Sequence, residues 1–431
     1  MEIRNVAPRL DACSSAAAYA HMVHLAGKIG VRVAGTDGEQ AGIQYLADAF
    51  ARMGYKPAIE VFSQPVWQEK SVMLELLGGG NIPAISPCFG GAGSAIGQVV
   101  SVGNPLSSVE LGSLDLKGKI ALVDGRDVEI DYPDGPQTDL LMGRGAVGII
   151  YVSGMDQHGG LPQAYFNFKR WFHAGTPPSA IVSYTDAKKI SGANARLSVD
   201  AEVRWSHSAN VIAELPGSTR PEEWVIVSAH HDTTPTSPGA CDNAGGCAVV
   251  AQLAHAFYKT GGTRRSIRFI LFGGHETGLH GSEAWLHKHL AEIGQLVAII
   301  NFDGQGNING SDDALMLGSQ PWLELVESAI RSVGRPMKTL VAPGGVDVTN
   351  FAALGIPGIN LGRHGEARFH TPADNLEGTG PQGLETALLT SCTLLSAVAD
   401  SLLIGLDDTL PWEQLQSARS YGSRWGWGIV V

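Results

Sequence analysis

The chain has 431 residues, of which 44% are hydrophobic and 17% charged, and a formal net charge of -12. That is enough chain for two or three domains with sizeable cores, and an acidic balance without any Lys/Arg run argues against nucleic acid or an anionic membrane as partner. Its five cysteines (Cys13, Cys88, Cys241, Cys247 and Cys392) are scattered without a Cys-x-x-Cys pair, and no leader-like or membrane-spanning apolar run occurs, so free thiols in a reducing, cytoplasmic setting are expected.

Residues 17–54 read as largely helical. Ile43, Leu46, Ala47, Phe50 and Met53 fall on one helical face, and Gly54 is a stop signal. Ahead of that helix, the Gly-rich turn Gly30–Thr36 carries Arg32, either a surface arginine or one aimed at a site. A strand over Lys56–Phe62 follows. From about Val66 to Val203 the texture changes. Glycines cluster at Gly78–Gly80 and Gly90–Gly93, and short apolar β runs occur at Lys119–Asp124, Gly148–Val152 and Ala180–Ser183. An inserted, β-rich domain is expected there. Within it the segment Tyr165–His173 is dense in aromatics, including Tyr165, Phe166 and Trp171. It is either a local hydrophobic plug or a lid that encloses a substrate.

The second half alternates strand and helix. Trp224–Ala229 is a β-branched apolar run that suits a strand buried on both faces, and it stops on His230-His231-Asp232. Asp242 follows a Pro/Gly-rich loop and opens a helix over Ala244–Tyr258. The strand Arg268–Phe272 leads to His275-Glu276 and a helix over Gly281–Leu290. The strand Leu296–Phe302 ends at Asp303, the strand Pro357–Leu361 precedes His370, and Leu384–Leu403 is a long apolar helix. Strand ends are where open α/β sheets place ligands. Imidazoles and carboxylates at those ends suit one or two divalent transition metal ions, zinc or manganese, and two ions sharing a carboxylate form a hydrolytic clamp. Arg363, His364 and Arg368 lie just before His370, where they either grip a substrate carboxylate or are solvated loop residues. The tail after Gly405 packs on the body or on another subunit, which leaves a homo-oligomer open.

In this order the motifs resemble those of the co-catalytic metal aminopeptidases of clan MH, a group that includes glutamate carboxypeptidases and glutaminyl cyclases. His230-His231-Asp232 resembles the family's His-x-Asp, and Gly239-Ala240-Cys241-Asp242-Asn243 its bridging-Asp loop. His275-Glu276-Thr277-Gly278-Leu279-His280-Gly281-Ser282 resembles its Glu-Glu-x-Gly-x-x-Gly-Ser. Asn301-Phe302-Asp303, Asp347–Phe351 with Gly355-Ile356-Pro357, and Phe369-His370-Thr371-Pro372-Ala373-Asp374 match further motifs. The resemblance covers most of residues 208–400. It implies an α/β fold, a mixed sheet sandwiched by helices. It also implies a site in which His230 and Asp303 hold one metal, Glu276 and His370 the other, and Asp242 bridges them. Asp232 would orient His230. The insert is similar to a protease-associated domain at Asp115–Ile120 and Gly145–Gly148.

The chain departs from the pattern at His275, where the family carries a second Glu as general base. An imidazole can take a proton near neutral pH, or donate a hydrogen bond to a substrate. The expected function is a divalent-metal-dependent hydrolase of a C–N bond in a small substrate, of aminopeptidase or amidase type, with His275 and Asp232 in the catalytic machinery. One alternative is an aminohydrolase releasing ammonia from an aromatic amine, as nitroanthranilate aminohydrolase does. Another is a non-catalytic binding module on a peptidase scaffold. The expected organisation is 1–65 as the first part of the catalytic domain, 66–205 as the β-rich lid domain, 206–405 as the metal-binding part and 406–431 as a tail.

Overall fold

The computed structural model describes residues 6–103, 114–124, 135–153, 160–162, 176–365, 368–401 and 410–425. Contacts divide the chain into a larger unit, Met1–Gln64 with His207–Phe369 and Asp374–Val431, and an inserted unit, Pro65–Ser206 with His370–Ala373. The larger unit opens with helices α1 (Val6–Ala12), α2 (Ser15–Met22) and α3 (Asp37–Met53). Ser14 caps α2 and Thr36 caps α3 by accepting backbone N–H groups, and Gly54 ends α3 in the left-handed conformation. Ile43, Leu46, Ala47 and Phe50 are buried, as their spacing predicts. A π-helical stretch, Val23–Ile29, and the loop around Arg32 separate α2 from α3, so the helical region is not continuous.

The strands are β1 (Ala58–Leu76), β2 (Asn81–Ile82), β3 (Gly93–Gly103), β4 (Ile120–Asp124), β5 (Gly148–Val152), β6 (Ser179–Val182) and β7 (Asn194–Leu215) in the first half of the chain. In the inserted unit β7 pairs antiparallel with β3, and β3, β4, β5 and β6 then pair in parallel. Helices α4 (Gly135–Gly143) and α5 (Tyr184–Ile190) accompany these strands. The described part of the insert is thus rich in strands, with a parallel run β3–β6 and two short helices. Its short apolar runs are buried along their whole length, as parallel strands require. Tyr165, Phe166 and Trp171, the expected lid residues, lie outside the described residues.

The larger unit continues with β8 (Arg220–His230), β9 (Arg265–Phe272), β10 (Leu296–Phe302), β11 (Ser311–Leu317), β12 (Lys338–Val341) and β13 (Gly358–His364). Its helices are α6 (Gly245–Thr260), α7 (His280–Lys288), α8 (Gln320–Val333), α9 (Val348–Ala352), α10 (Gln382–Asp400) and α11 (Trp412–Trp425). The sheet order is β12-β11-β13-β10-β8-β9-β7. β13, β10, β8 and β9 are mutually parallel, while β11 against β13 and β7 against β9 are antiparallel. Alternate residues feed two cores. Val225 and Val227 of β8 join residues of α2, α3, α6 and α10 on one face. Ile226 joins Trp285, Phe351 and Ala418, from α7, α9 and α11, on the other. The fold is therefore α/β, a mixed sheet sandwiched by helices, as expected. Its four parallel strands bring their C-terminal ends to one edge. No helix among the described residues is long and apolar enough to cross a membrane, and none of the five cysteines is in a disulfide.

Candidate metal centre

The loops that leave β8, β9 and β10 meet at that edge. His230 is fully buried, with Nε2 3.0 Å from Asp242 Oδ1 and 3.3 Å from Asp303 Oδ1. Its Nδ1 lies 3.6 Å from Asp232 Oδ1, too long for a hydrogen bond but close enough for charge to be felt. Asp232 spends its oxygens elsewhere. Oδ1 accepts the backbone N–H of His275 at 3.0 Å and Oδ2 that of Glu276 at 3.1 Å, so Asp232 clamps the β9 loop against the β8 end. His231, beside them, turns away and hydrogen-bonds Ala209 O at 2.9 Å, and burial pushes its pKa down to about 4.

The β9 loop carries Gly273-Gly274 ahead of His275, and neither position has room for a side chain. A Cβ on Gly273 would sit 2.2 Å from Ser208 Oγ, and one on Gly274 2.0 Å from Gln64 Oε1. Gly274 also has a φ of 62°, which favours glycine. Asp242 is fixed by a different carboxylate. Asp374 accepts from Cys241 N at 2.8 Å and Asp242 N at 3.0 Å. Burial and the nearby Asp242 charge push the Asp374 pKa up to about 7. Asn243 Nδ2 donates to Phe302 O at 2.8 Å, which ties this loop to β10.

Among the described residues, two groups of side chains have potential ligand atoms within 4.8 Å of one another: His230, Asp242 and Glu276, and His230, His275 and Asp303. Ligand atoms roughly 2.0–2.1 Å from a tetrahedral ion lie about 3.3 Å apart, which is the range of the His230 contacts. The electrostatics agree. Burial opposes protonation of His230, but the carboxylates of Asp303, Asp232 and Asp242 outweigh it and raise its pKa well above the ordinary value. His275 is raised too: burial and His230 act against this, and Asp347 and Asp303 prevail. The pocket carries more negative than positive charge, and its imidazole and carboxylate donors fit a divalent transition metal.

The other expected residues divide. His370 has a φ of 61°, is buried and groups with the inserted unit. Arg363 does not offer a free guanidinium. It pairs with Asp312 at 2.8 Å and donates to the carbonyls of Asn307 at 2.6 Å and Ile308 at 3.3 Å. The antiparallel register sets Asp312 directly opposite Arg363, which is why its charge is consumed within the sheet. His364, 55% exposed, lies 3.2 Å from Asp313 Oδ2, and that contact raises its pKa, with smaller contributions from Asp303 and Asp242. It therefore stands near the cluster. Arg368 donates to Glu377 O at 3.3 Å.

Three residues without an assigned role prove central. Asp347 is fully buried and lies 3.0 Å from His275 Nδ1. Asp374 holds the Asp242 loop. Arg32 is neither at the surface nor aimed at the ligands. Its guanidinium donates to the carbonyl oxygens of Leu25, Gly30, His231, Pro238 and Gly239, pinning the loop between β8 and Asp242 from below. The motif matches flagged the first two; only their distant partners assign their tasks.

Residues 210–394 match the model of Peptidase family M28. Aminopeptidase YwaD of Bacillus subtilis (strain 168) is 26% identical over 86% of this chain and 82% of its own length. Carboxypeptidase Q of Rattus norvegicus is 26% identical over 53% of this chain, which spans about half, 52%, of that relative. In fold the chain is similar to BSAP, a zinc aminopeptidase from Bacillus subtilis, with a TM-score of 0.73 at 21% identity over 92% of this chain and 98% of the other. The resemblance to the metal aminopeptidases is borne out in sequence, and the expected fold by the solved structure.

Proposed function

We propose that this chain, whose residues 210–394 are of the peptidase family M28 type, is a divalent-metal-dependent hydrolase of C–N bonds of the aminopeptidase kind. The observation that carries this reading is the convergence of His230, Asp242, Glu276 and Asp303 at one buried strand edge. His230, Asp242, Glu276 and Asp303 would hold a divalent ion, zinc by analogy with the zinc aminopeptidase, which when bound would supply Lewis acidity. The chain's own residues do the rest. Asp232 and Asp374 fix the two ligand loops by backbone hydrogen bonds. His364 stands at the margin as a polar contact for a small substrate. His275 replaces the carboxylate that serves as base in the family. Its imidazole has two chemical uses, proton acceptor or hydrogen-bond donor to a substrate.

A second reading, an aminohydrolase acting on an aromatic amine, is supported by the same His275 substitution, since a changed residue at the base position suits a changed reaction. The test is chelation followed by reconstitution with Zn²⁺ or Mn²⁺, with turnover measured on dipeptides and aminoacyl anilides and, in parallel, as ammonia release from an aminobenzoate. Loss and recovery of anilide cleavage supports the first reading; metal-dependent ammonia release alone supports the second. Full activity after exhaustive chelation would overturn both.

A further inference from the structure

The end of β13 and the residues after it set two rings beside the backbone that leaves β10. A Cβ on Gly304, the residue after Asp303, would lie 3.3 Å from Phe369 Cζ and 3.6 Å from His364 Cε1. Glycine at this position, with a φ of 80°, leaves that space open. The rings meet edge to face, with centroids 5.5 Å apart and planes at 71°. Phe369 is half-buried against the core, while His364 is 55% exposed. We propose that His364 determines specificity: it selects substrates that carry a carboxylate near the scissile C–N bond, with Phe369 as the apolar wall beside it.

Three observations carry this. The first is how the imidazole is seated. In the antiparallel register Gly362 lies opposite Asp313, and a Cβ on Gly362 would lie 2.8 Å from His364 Nε2 and 2.8 Å from Asp313 Oδ1. The missing side chain lets the ring lean back on Asp313, with Nε2 3.2 Å from Oδ2. The ring makes no other hydrogen bond or ion pair among the described residues, so Nδ1 remains to meet a ligand. The second is charge. Asp313, against the effect of burial, raises the His364 pKa. An imidazolium N–H makes a charge-assisted hydrogen bond to a carboxylate, about twice as strong as a neutral one. The third is the company it keeps. Arg363 spends its guanidinium on Asp312 and two carbonyl oxygens, and Arg368 donates to Glu377 O. The same end of the sheet gathers Asp242, Glu276 and Asp303. A substrate carboxylate brought there is repelled unless a local cation offsets the repulsion, and His364, beside Gly304, is placed to do so. Specificity is a difference between two affinities, so losing His364 falls more heavily on carboxylate substrates than on their neutral counterparts.

This inference rests on the reading of the chain as a metal-dependent C–N hydrolase, and the test separates the two. The zinc-loaded full-length protein is given alanylglycine and its neutral counterpart, alanylglycinamide, and kcat/KM is taken from the alanine released. For an aminohydrolase the matched pair is an aminobenzoate and its methyl ester, with ammonia counted instead. His364→Ala is expected to lose roughly 10–100-fold more on the carboxylate substrate than on the neutral one, mostly as a rise in KM. Asp313→Asn should lose in the same direction by less, and His364→Lys should regain most of the selectivity. Zinc content and the unfolding midpoint are read alongside. If His364→Ala does not fold, Asp313→Asn decides alone. Equal losses on the two substrates, or none, overturn the assignment and leave the hydrolase reading standing. Turnover of neither pair by the zinc-loaded wild-type protein overturns both.

Discussion

The two ends of the same parallel strands bury charge in opposite ways. Where β9 begins, Arg265 lies 2.5 Å from Glu223, and Arg268 lies 2.7 Å from Glu214 and 3.0 Å from Glu292. Nearby, the buried Arg9 lies 2.6 Å from Asp400, whose other oxygen accepts the N–H of Arg264. Each buried cation there has its carboxylate. Where the strands end, Asp232, Asp242, Glu276, Asp303 and Asp347 gather around His230 and His275, while Arg32 gives its hydrogen bonds to carbonyl oxygens. The first end is electrically complete and serves the fold. The second is short of positive charge, which is the mark of a site finished by an outside cation.

The largest expected effect comes from removing a carboxylate at the unbalanced end. Asp242→Asn should lose metal and activity by more than the roughly 10–100-fold that an outlying support residue costs. Without metal, the same variant should unfold no lower in temperature than metal-free wild type, because it removes like-charge repulsion. Elemental analysis after gel filtration and thermal unfolding in chelator measure the two halves. Wild-type metal content in the variant would break the comparison at its core.

The mirror experiment is Arg265→Ala. It leaves Glu223, which is 28% exposed, with Arg220 at 3.0 Å as its remaining partner, and it strips the donor from Val398 O and Ser401 O, for about 1–3 kcal/mol. Chemical denaturation should show that loss, while metal affinity stays at the wild-type value. Asp374→Ala should fall between the two classes. It strips the acceptors from Cys241 N and Asp242 N, for about 1–3 kcal/mol in stability, and loosens the Asp242 loop enough to weaken metal binding. If Arg265→Ala weakened metal binding as much as Asp374→Ala does, the two ends would not be independent.

How much of this could be read from the sequence follows from the kind of signal each part leaves. β8 and β10 are apolar, β-branched runs broken by abrupt polar residues, so both the strands and their terminal ligands are legible. β7 and β11 are not, because polar residues such as Asp312 sit inside them and are satisfied by cross-strand partners that no local pattern names. Arg363 illustrates the same limit. Its closeness in sequence to His370 suggested a substrate contact, while its partner, Asp312, comes from another strand. Asp347 lies 72 residues from His275; a motif can mark it, but only the fold brings the two together. α8, with Trp322, Val326, Ala329 and Ile330 buried on one face, carries a helical period that is legible in the sequence.

The last of these effects is the most specific to pH. Glu39, on α3, is fully buried and accepts from Ser208 Oγ at 2.5 Å and Gly35 N at 2.6 Å. Burial, helped by the Asp232 charge, pushes its pKa from 4.5 up to about 8 against the opposing effect of those hydrogen bonds. Between those two values the folded protein keeps a proton that the unfolded chain has released. Stability from this group is therefore complete below 4.5 and is lost as the pH rises towards 8, by up to about 1.4 kcal/mol per pH unit. Glu39 adds one more carboxyl to the crowded end, and the proton stands in for a cation that the end lacks. Glu39→Gln cannot ionise, so its stability should fall less steeply than that of the wild-type protein between pH 5 and 8, whatever its absolute value. Denaturant midpoints measured across that window, in chelator so that metal binding does not intrude, give the comparison. Parallel curves for the two proteins would mean that Glu39 titrates alike in the folded and unfolded chains, and the crowding argument would then stop at the residues that touch His230 and His275.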